Sequence, residues 1–594
     1  SRTYELQHDS DISSLDFPKI ESGQLILEQV ISYLSQIGIK SPSQALIELA
    51  RNLLNLSLIA EVAKSSTNPI LDLTDDIDLW KEYYLTIQQH ESEEIAEFVL
   101  KLAQEVTSRG EQTFSVSFPK SEYRRKLLSR GILIEAPGRR YAFRHEQLQD
   151  FLCAYSLLPE KPDFARIFSE FGQNTSKGVI SWLQKLYHME FPNLEARFIA
   201  DVLAANDNLP FYSRTPVLEN LREQLDPTVD SAKIIIKYSN DWAYNRFFFD
   251  GLDNLAWITP LFETGFFSKP PEPIEIKPGS FQLPGWPAGE YLARFADQHE
   301  DIVVAVVRSI RTENLRVQEI LVDAMLKISP EKTAELISTV DAWLSGRFSD
   351  MLPNKLIPLA DYLLENGLVD GAIQILEYVI TPVLPPIQSE YSKYRSAVSF
   401  RSDRYWVNEY SEKQLSKLIQ LKPVNVVLAF DRQVKKTIEL TKQVDPENAE
   451  LQVGYYWRMD IPNHLSEWND ADALDILIDG LRDGLAEVCK QNTEEGRKFL
   501  TDYLNSEHVI FKRIALYILR TFGQNYPELI NQALLQRDSL ENSEYTKEYC
   551  GLMRDQFNTA SEEVRSQVIS WILSGPMDVD SRVKHYAQWQ NREA

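Results

Sequence analysis

The sequence is short of cysteine, of basic charge and of long apolar runs, and each shortage removes a class of function. Cys153, Cys489 and Cys550 are the only 3 cysteines in 594 residues. An odd number spread so far apart is no disulfide framework, suits a reducing cytosol and leaves no zinc ligand set. Lys and Arg number 62 against 87 Asp and Glu, a formal charge of −25. A field of that sign repels nucleic-acid phosphate and anionic membrane before contact, although a local basic patch escapes the argument. The longest apolar runs, such as Ile302 to Val307, fall well short of the roughly 18 residues of a membrane helix. No Gly-x-x-x-x-Gly-Lys-Ser/Thr loop is present to cradle phosphates. Its nearest approach, Gly172-Gln-Asn-Thr-Ser-Lys177-Gly178, has the lysine before the second glycine and reads as a polar loop. His-Glu-x-x-His and Gly-x-Ser-x-Gly are also missing, and His8, His90, His188, His299, His464, His508 and His585 stand alone. No catalytic or metal site is therefore expected in this chain. Asp470, Asp472 and Asp475 lack the Gly and terminal Glu of a calcium loop and are expected to cap a helix. The chain opens at Ser1 with no signal-peptide pattern, which reads as a cut end.

What is present is an ordinary globular composition, 43% hydrophobic and 25% charged, long enough for about three to five domains. Apolar residues recur at helical spacing nearly everywhere. Val317, Ile320, Leu321, Ala324, Met325 and Ile328 fall on one stripe, with Ile302 to Ile310 before it and Arg311 to Asn314 as the polar break between two antiparallel helices. Further helices are expected at Thr333 to Leu344, Leu356 to Leu364, Gly371 to Ile380, Ala471 to Cys489, Glu495 to Leu504, Val509 to Phe522 and Ser561 to Leu573. Pairs that each bury one face against the next read as a HEAT-like α-solenoid. Prolines between Pro260 and Pro287 exclude regular helix or central strand there, while Trp257, Phe267, Trp286 and Tyr291 suggest that this segment packs down onto a domain. Residues 120 to 158 differ in kind. A helix over Lys120 to Arg130, a stop at Gly131, strands at Ile132 to Ile134 and Tyr141 to Phe143 around a turn at Ala136 to Arg139, and a helix from Glu146 to Leu158 make a winged helix. Upstream, helices are expected over Leu25 to Ile37, Ser43 to Ala63, Leu79 to Gln89 and Glu93 to Thr107. The fold class is thus mainly α, a helical domain plus a winged helix followed by a HEAT-like solenoid.

A winged helix that stands alone usually binds DNA, and Lys120, Arg124, Arg125, Lys126, Arg130, Arg139, Arg140 and Arg144 would serve it; the alternative is that they pair with carboxylates nearby. The run Tyr141-Ala-Phe-Arg-His145-Glu-Gln-Leu-Gln-Asp-Phe-Leu-Cys-Ala154 resembles the end of the winged-helix domain in signal-transducing NTPases of the STAND class, especially the NACHT branch. Ser1-Arg2-Thr-Tyr-Glu5 resembles the last strand of such an NTPase, where an arginine senses nucleotide. Arg51-Asn52-Leu53-Leu54 resembles the segment that the family writes Asn-Pro-Leu, with Leu53 where the proline contacts the base. Trp257-Ile-Thr-Pro-Leu261, Trp286-Pro287 and Trp571-Ile572 look similar to helical-repeat sensors of bacterial STAND proteins, antiviral ones included.

The resemblance implies a remnant of the NTPase core at 1–24, a helical domain at 25–92, the winged helix at 93–158, a helical linker domain at 159–259 and sensor repeats at 260–594. It implies no cofactor in this chain, ATP or ADP with Mg in the complete ATPase, and nucleotide sensing by Arg2, His145 and Leu53. It also implies a cytoplasmic switch that recognises a protein ligand, such as a phage protein, and then self-associates, with no membrane and nucleic acid disfavoured. For the ligand, the stretch from Glu390 to Lys442 holds eleven basic residues against six acidic ones, interleaved with aromatics. Arg395, Arg401, Arg404, Tyr405, Trp406 and Tyr410 are its binding candidates, since arginine and aromatic side chains together favour interfaces. A solvated helix face paired to acidic neighbours is the plainer reading. Two other functions stay open: a winged-helix nucleic-acid-binding protein, and a HEAT scaffold with no switch.

Overall fold

Helical spacing becomes helix almost wherever it was read. The computed structural model describes residues 25–65, 73, 75–158, 167–168, 176–205, 208–238, 241–384, 398–456, 458–462, 473–491 and 493–577. These are mainly α-helical, and their three sheets are two-stranded hairpins or pairs. They fall into two compact units, one running to Leu225 and resuming over Ile234–Asn254, the other made of Asp226–Lys233 and the residues from Leu255 onward. The main division follows Asn254.

The first unit starts with helices Leu27–Gln36, Gln44–Ala50, Leu53–Ser65, Asp76–Glu91 and Glu93–Ser108. The single helix expected over Ser43 to Ala63 is two. The Asn52 side chain accepts from the N–H groups of Leu54 and Asn55 at 2.9 and 3.4 Å, so it starts a new helix by satisfying donors that a first turn leaves orphaned. The winged helix follows: helix Ser121–Ser129, Gly131 at φ +64°, and antiparallel strands Leu133–Ala136 and Arg140–Phe143 with Leu133 opposite Phe143. Gly138 and Arg139, at φ 78° and 58°, turn the chain between them. Phe114 adds a bridge to Tyr141, so the wing gains a third partner that periodicity did not show. Helix Glu146–Ser156 then turns Phe151 onto Trp80 and Trp182, with ring centroids 5.7 and 5.4 Å away, joining wing, helical bundle and the helix Lys177–Glu190 in one core. Lys177, read from sequence as part of a polar loop, lies in that helix behind the cap Ser176 and pairs with Glu219 at 2.7 Å.

The second unit opens with the proline-rich stretch, which does hold regular structure. Pro260 sits in the first turn of helix Ile258–Glu263, where no intrahelical N–H is needed. The hairpin Ile274–Lys277 with Ser280–Gln282 fits between Pro273, Pro278 and Pro284, none of which is asked to donate to its ladder. Trp257, Phe267, Trp286 and Tyr291 of this stretch are buried. The helices then stack as a solenoid does. Glu300–Ser309 packs on Pro330–Leu344, that helix on Val369–Val379, and the series continues through Pro423–Val444, Ala473–Lys490, Val509–Phe522 and Thr546–Gln556, with partner helices such as Leu315–Met325 and Pro353–Glu365 alongside. Asp475, in the first turn of Ala473–Lys490, pairs inside this stack with the buried Arg458 at 2.6 Å, while the other capping candidates, Asp470 and Asp472, lie outside the described residues. Arg513, wholly buried, grips Glu548 with two N–H groups at 3.1 and 2.7 Å and gives others to the carbonyls of Gly454, Arg458 and Met459.

Candidate switch and ligand-binding sites

In the first unit, one face of helix Leu53–Ser65 presents Leu53, Leu56, Glu61 and Lys64 to an open cleft of about 490 Å³, whose far wall includes Leu25 and Tyr33. Leu53 is 56% exposed there. Glu61 continues into a second, tighter recess with Tyr83 and Arg130, and its carboxylate stands 4.0 Å from the Arg144 guanidinium at the end of the wing. Next along the chain is His145, half-buried at the point where strand Arg140–Phe143 gives way to helix Glu146–Ser156, with no capping bond from its side chain. Burial, aided by the Arg144 charge and opposed by Glu61, holds its imidazole below the usual histidine range. A neutral ring with an N–H to offer can serve an anionic oxygen as hydrogen-bond donor. Glu61, Arg144 and His145 are therefore neighbours at the junction of helical bundle and wing, although 84 positions separate the first from the last, while Leu53 lines the cleft that Glu61 shares, two turns earlier on the same helix. Arg2 lies outside the described residues.

The wing's basic residues are largely spoken for. Lys120 pairs with Glu94, Arg124 with Glu135, Lys126 with Glu91 and Glu122, Arg130 with Glu91, and Arg140 with Glu111.

One group here escaped sequence reading. Asp150, 7% exposed, accepts from Ser176 Oγ at 2.7 Å, and a Cβ on Gly178 would stand only 2.0 Å from its other oxygen. Burial pushes its carboxyl up to about 7. Nothing in the sequence marks it, because its partner Ser176 lies 26 positions later in the chain.

In the second unit the expected basic patch is spent on holding helices together. Arg432 grips Glu377 through two hydrogen bonds of 2.7 Å, Lys422 reaches Asp370 at 2.6 Å, Lys417 reaches Asp361 at 3.5 Å, and Arg401 pairs with Asp341. Lys413, Lys435 and Lys442 pair with Glu409, Asp431 and Glu450. Tyr410 is wholly buried, its hydroxyl donating to the Ala372 carbonyl at 3.3 Å, so it is a packing residue and not a surface contact. Arg395 lies outside the described residues. Of the candidates, Tyr405 is 65% exposed, edge-on to Trp406 at 4.9 Å, and the Trp406 indole N–H meets the Met351 sulfur at 3.3 Å, with Arg404 adjoining in sequence. An aromatic and thioether cluster is left at the surface, a composition suited to a protein contact.

Among the described residues no group of three or more His, Cys, Asp or Glu is placed to hold a metal ion, and no helix is long and apolar enough to cross a membrane. No protein-family model matches the chain, and no curated protein matches it.

Proposed function

We propose that this chain is the regulatory and ligand-sensing part of a nucleotide-gated switch of the STAND type, acting in the cytoplasm, with the first unit as latch and the helical stack of the second as sensor of a protein ligand. The observation that supports this best is the meeting of Glu61, Arg144 and His145 at the junction of helical bundle and winged helix, beside the cleft that Glu61 lines with Leu53. A nucleotide bound between this junction and an NTPase core supplies the phosphate charge that the latch reads. His145 would donate its ring N–H to the terminal phosphate of ADP, and Leu53 would offer its exposed side chain to the base. Arg144, held by Glu61, keeps its charge beside the imidazole and favours the neutral ring. Ligand captured on the stack would favour the open state of the latch, permit exchange of ADP for ATP and expose surfaces for self-association, because a ligand shifts an equilibrium only by binding one state better. A phage protein is the ligand class that the resemblance to antiviral relatives favours. The paired cations Lys120, Arg124 and Arg130 count against the nucleic-acid reading, since a cation already paired gains less from phosphate.

The test is ADP retention by the protein that carries this chain together with its nucleotide-binding core. His145→Ala lowers the bound ADP found after gel filtration by roughly tenfold, the loss of about one charge-assisted hydrogen bond. Equal retention in the two proteins overturns the latch.

A further inference from the structure

Residues 404–421 of the second unit run as one helix that is not α-helical throughout. Arg404–Tyr410 and Ser416–Leu421 are α-helical, and Ser411–Leu415 between them is a π-helical turn. Helical dihedrals pass through both joins, with φ −61° and ψ −45° at Ser411 and φ −59° and ψ −40° at Ser416, so the helix widens without breaking. A π turn closes its hydrogen bonds one residue further along than an α turn, and it is found mostly as a single turn within a longer helix, frequently at functional sites.

The residue that this turn places inside is polar and unpaired. Gln414 is wholly buried, and neither its Oε1 nor its Nε2 meets a hydrogen-bond partner among the described residues. The Ser411 Oγ, on the same turn, is buried and unpaired as well. A carboxamide buried with both ends unpaired is costly. Its neighbour Leu415 is apolar and yet only half-buried. A better occupant for the interior thus stands one position along.

The π turn at Gln452–Tyr456 has no such conflict. There the Gly454 carbonyl accepts from Arg513 Nη1 at 2.6 Å, and Gln452 Nε2 donates to Asp445 at 2.6 Å. By contrast, among the described residues no hydrogen bond or ion pair ties Ser411–Leu415 to another helix, and Lys413 pairs with Glu409 of its own. The fastenings lie on either side. Before the turn, Val407 and Tyr410 are wholly buried and the Tyr410 hydroxyl donates to the Ala372 carbonyl at 3.3 Å. After it, Leu418 is wholly buried, and Lys417 and Lys422 pair with Asp361 and Asp370 at 3.5 and 2.6 Å.

When the extra residue of a wide turn moves toward the start of a helix, each residue that it passes yields its place to the next. We propose that Ser411–Leu415 is a slip joint with two registers: the wide turn moves toward Tyr410, Gln414 leaves the interior and Leu415 takes its place, while Val407, Tyr410 and Leu418 stay where they are. The slip belongs to this helix alone and does not depend on a ligand. On the sensor reading it acquires a use, since Tyr405 and Trp406 stand at the head of the same helix and a protein docked on them would bias a two-state element inside the stack.

Native-state hydrogen exchange on the intact chain, resolved to single amides by mass spectrometry, tests this without nucleotide or ligand. The amides of residues 411–416 exchange about tenfold faster than those of residues 407–410 and 418–421, at rates that low urea leaves unchanged, because the slip exposes little surface. Leu415→Gln slows them by about tenfold, since the second register then gains nothing over the first. A leucine that merely packed would have the opposite effect, its loss loosening the helix and speeding exchange. Gln414→Leu slows them too, by giving the first register an apolar interior. Exchange no faster than in the flanks, rates that rise with low urea, rates unchanged or faster in Leu415→Gln, or rates unchanged in Gln414→Leu overturn the proposal. A Gln414→Leu protein that melts below the wild type also overturns it, for the amide would then be paired with ordered water. The His145→Ala effect on ADP is measured apart from these rates, so the latch and the slip joint stand or fall separately.

Discussion

Asp150 and His145 stand five positions apart and are displaced in the same direction of charge, toward neutrality, by the same burial. Their consequences for stability run opposite ways. The Asp150 carboxyl moves from 3.8 to about 7, so the folded state holds a proton that the unfolded chain gives up. Its stability contribution is complete below about pH 4 and is lost as pH rises through 7. The His145 imidazole lies below 6.5, so its contribution is complete above that pH and is lost as pH falls. Asp150→Asn keeps an acceptor for Ser176 and cannot ionise. It is expected to raise the melting temperature of the first unit at pH 8 and to leave it nearly unchanged at pH 4.5, by scanning calorimetry against the wild type. A gap that does not vary with pH would mean the carboxylate is ionised in the fold. Neither displacement is legible in a sequence, where Asp150 is one acidic residue among 87.

Among elements, the helices Pro423–Val444 and Ala473–Lys490 show what periodicity cannot tell. The apolar stripe of the second was plain, and its helix follows. The reason for Gly480 and Gly484 inside it was not, since glycine in a helix interior costs about 1 kcal/mol relative to alanine. A Cβ at Gly480 would stand 2.3 Å from the Phe430 ring, and one at Gly484 would stand 3.1 Å from Val427. The two glycines let the helices approach until Phe430 and Val427 lie on the neighbour's backbone. Gly480→Val is therefore expected to destabilise the second unit by about 1–3 kcal/mol through overpacking, with Gly480→Ala milder, read from urea unfolding. Wild-type stability in the valine variant would mean the crossing is looser than described. The split at Asn52 has a similar lesson: an apolar stripe ran through it, and a side-chain cap one residue long overrode the stripe.

For the whole molecule, the division into two compact units carries its own expectation. Heating should give two calorimetric transitions, Asp150→Asn moving one and Gly480→Val the other, because substitutions in separate cores with no shared neighbours act independently. A single transition moved by both variants would show that the units melt together.

The sequence by itself determined the helix content, the winged helix with its turn, and the absence of a phosphate-cradling loop. Those properties are local: a stripe at three and four residues, a glycine at positive φ and a motif of eight positions are complete within a short stretch of chain. Only the tertiary structure decided which charges remain for a partner. Arg432 finds Glu377 and Lys422 finds Asp370 across 55 and 52 positions, so much of the charge of a run that is basic in sequence is paired in the fold. The same long-range packing set Ser176 against the buried Asp150, because burial and pairing depend on neighbours in space, which the order of residues does not contain.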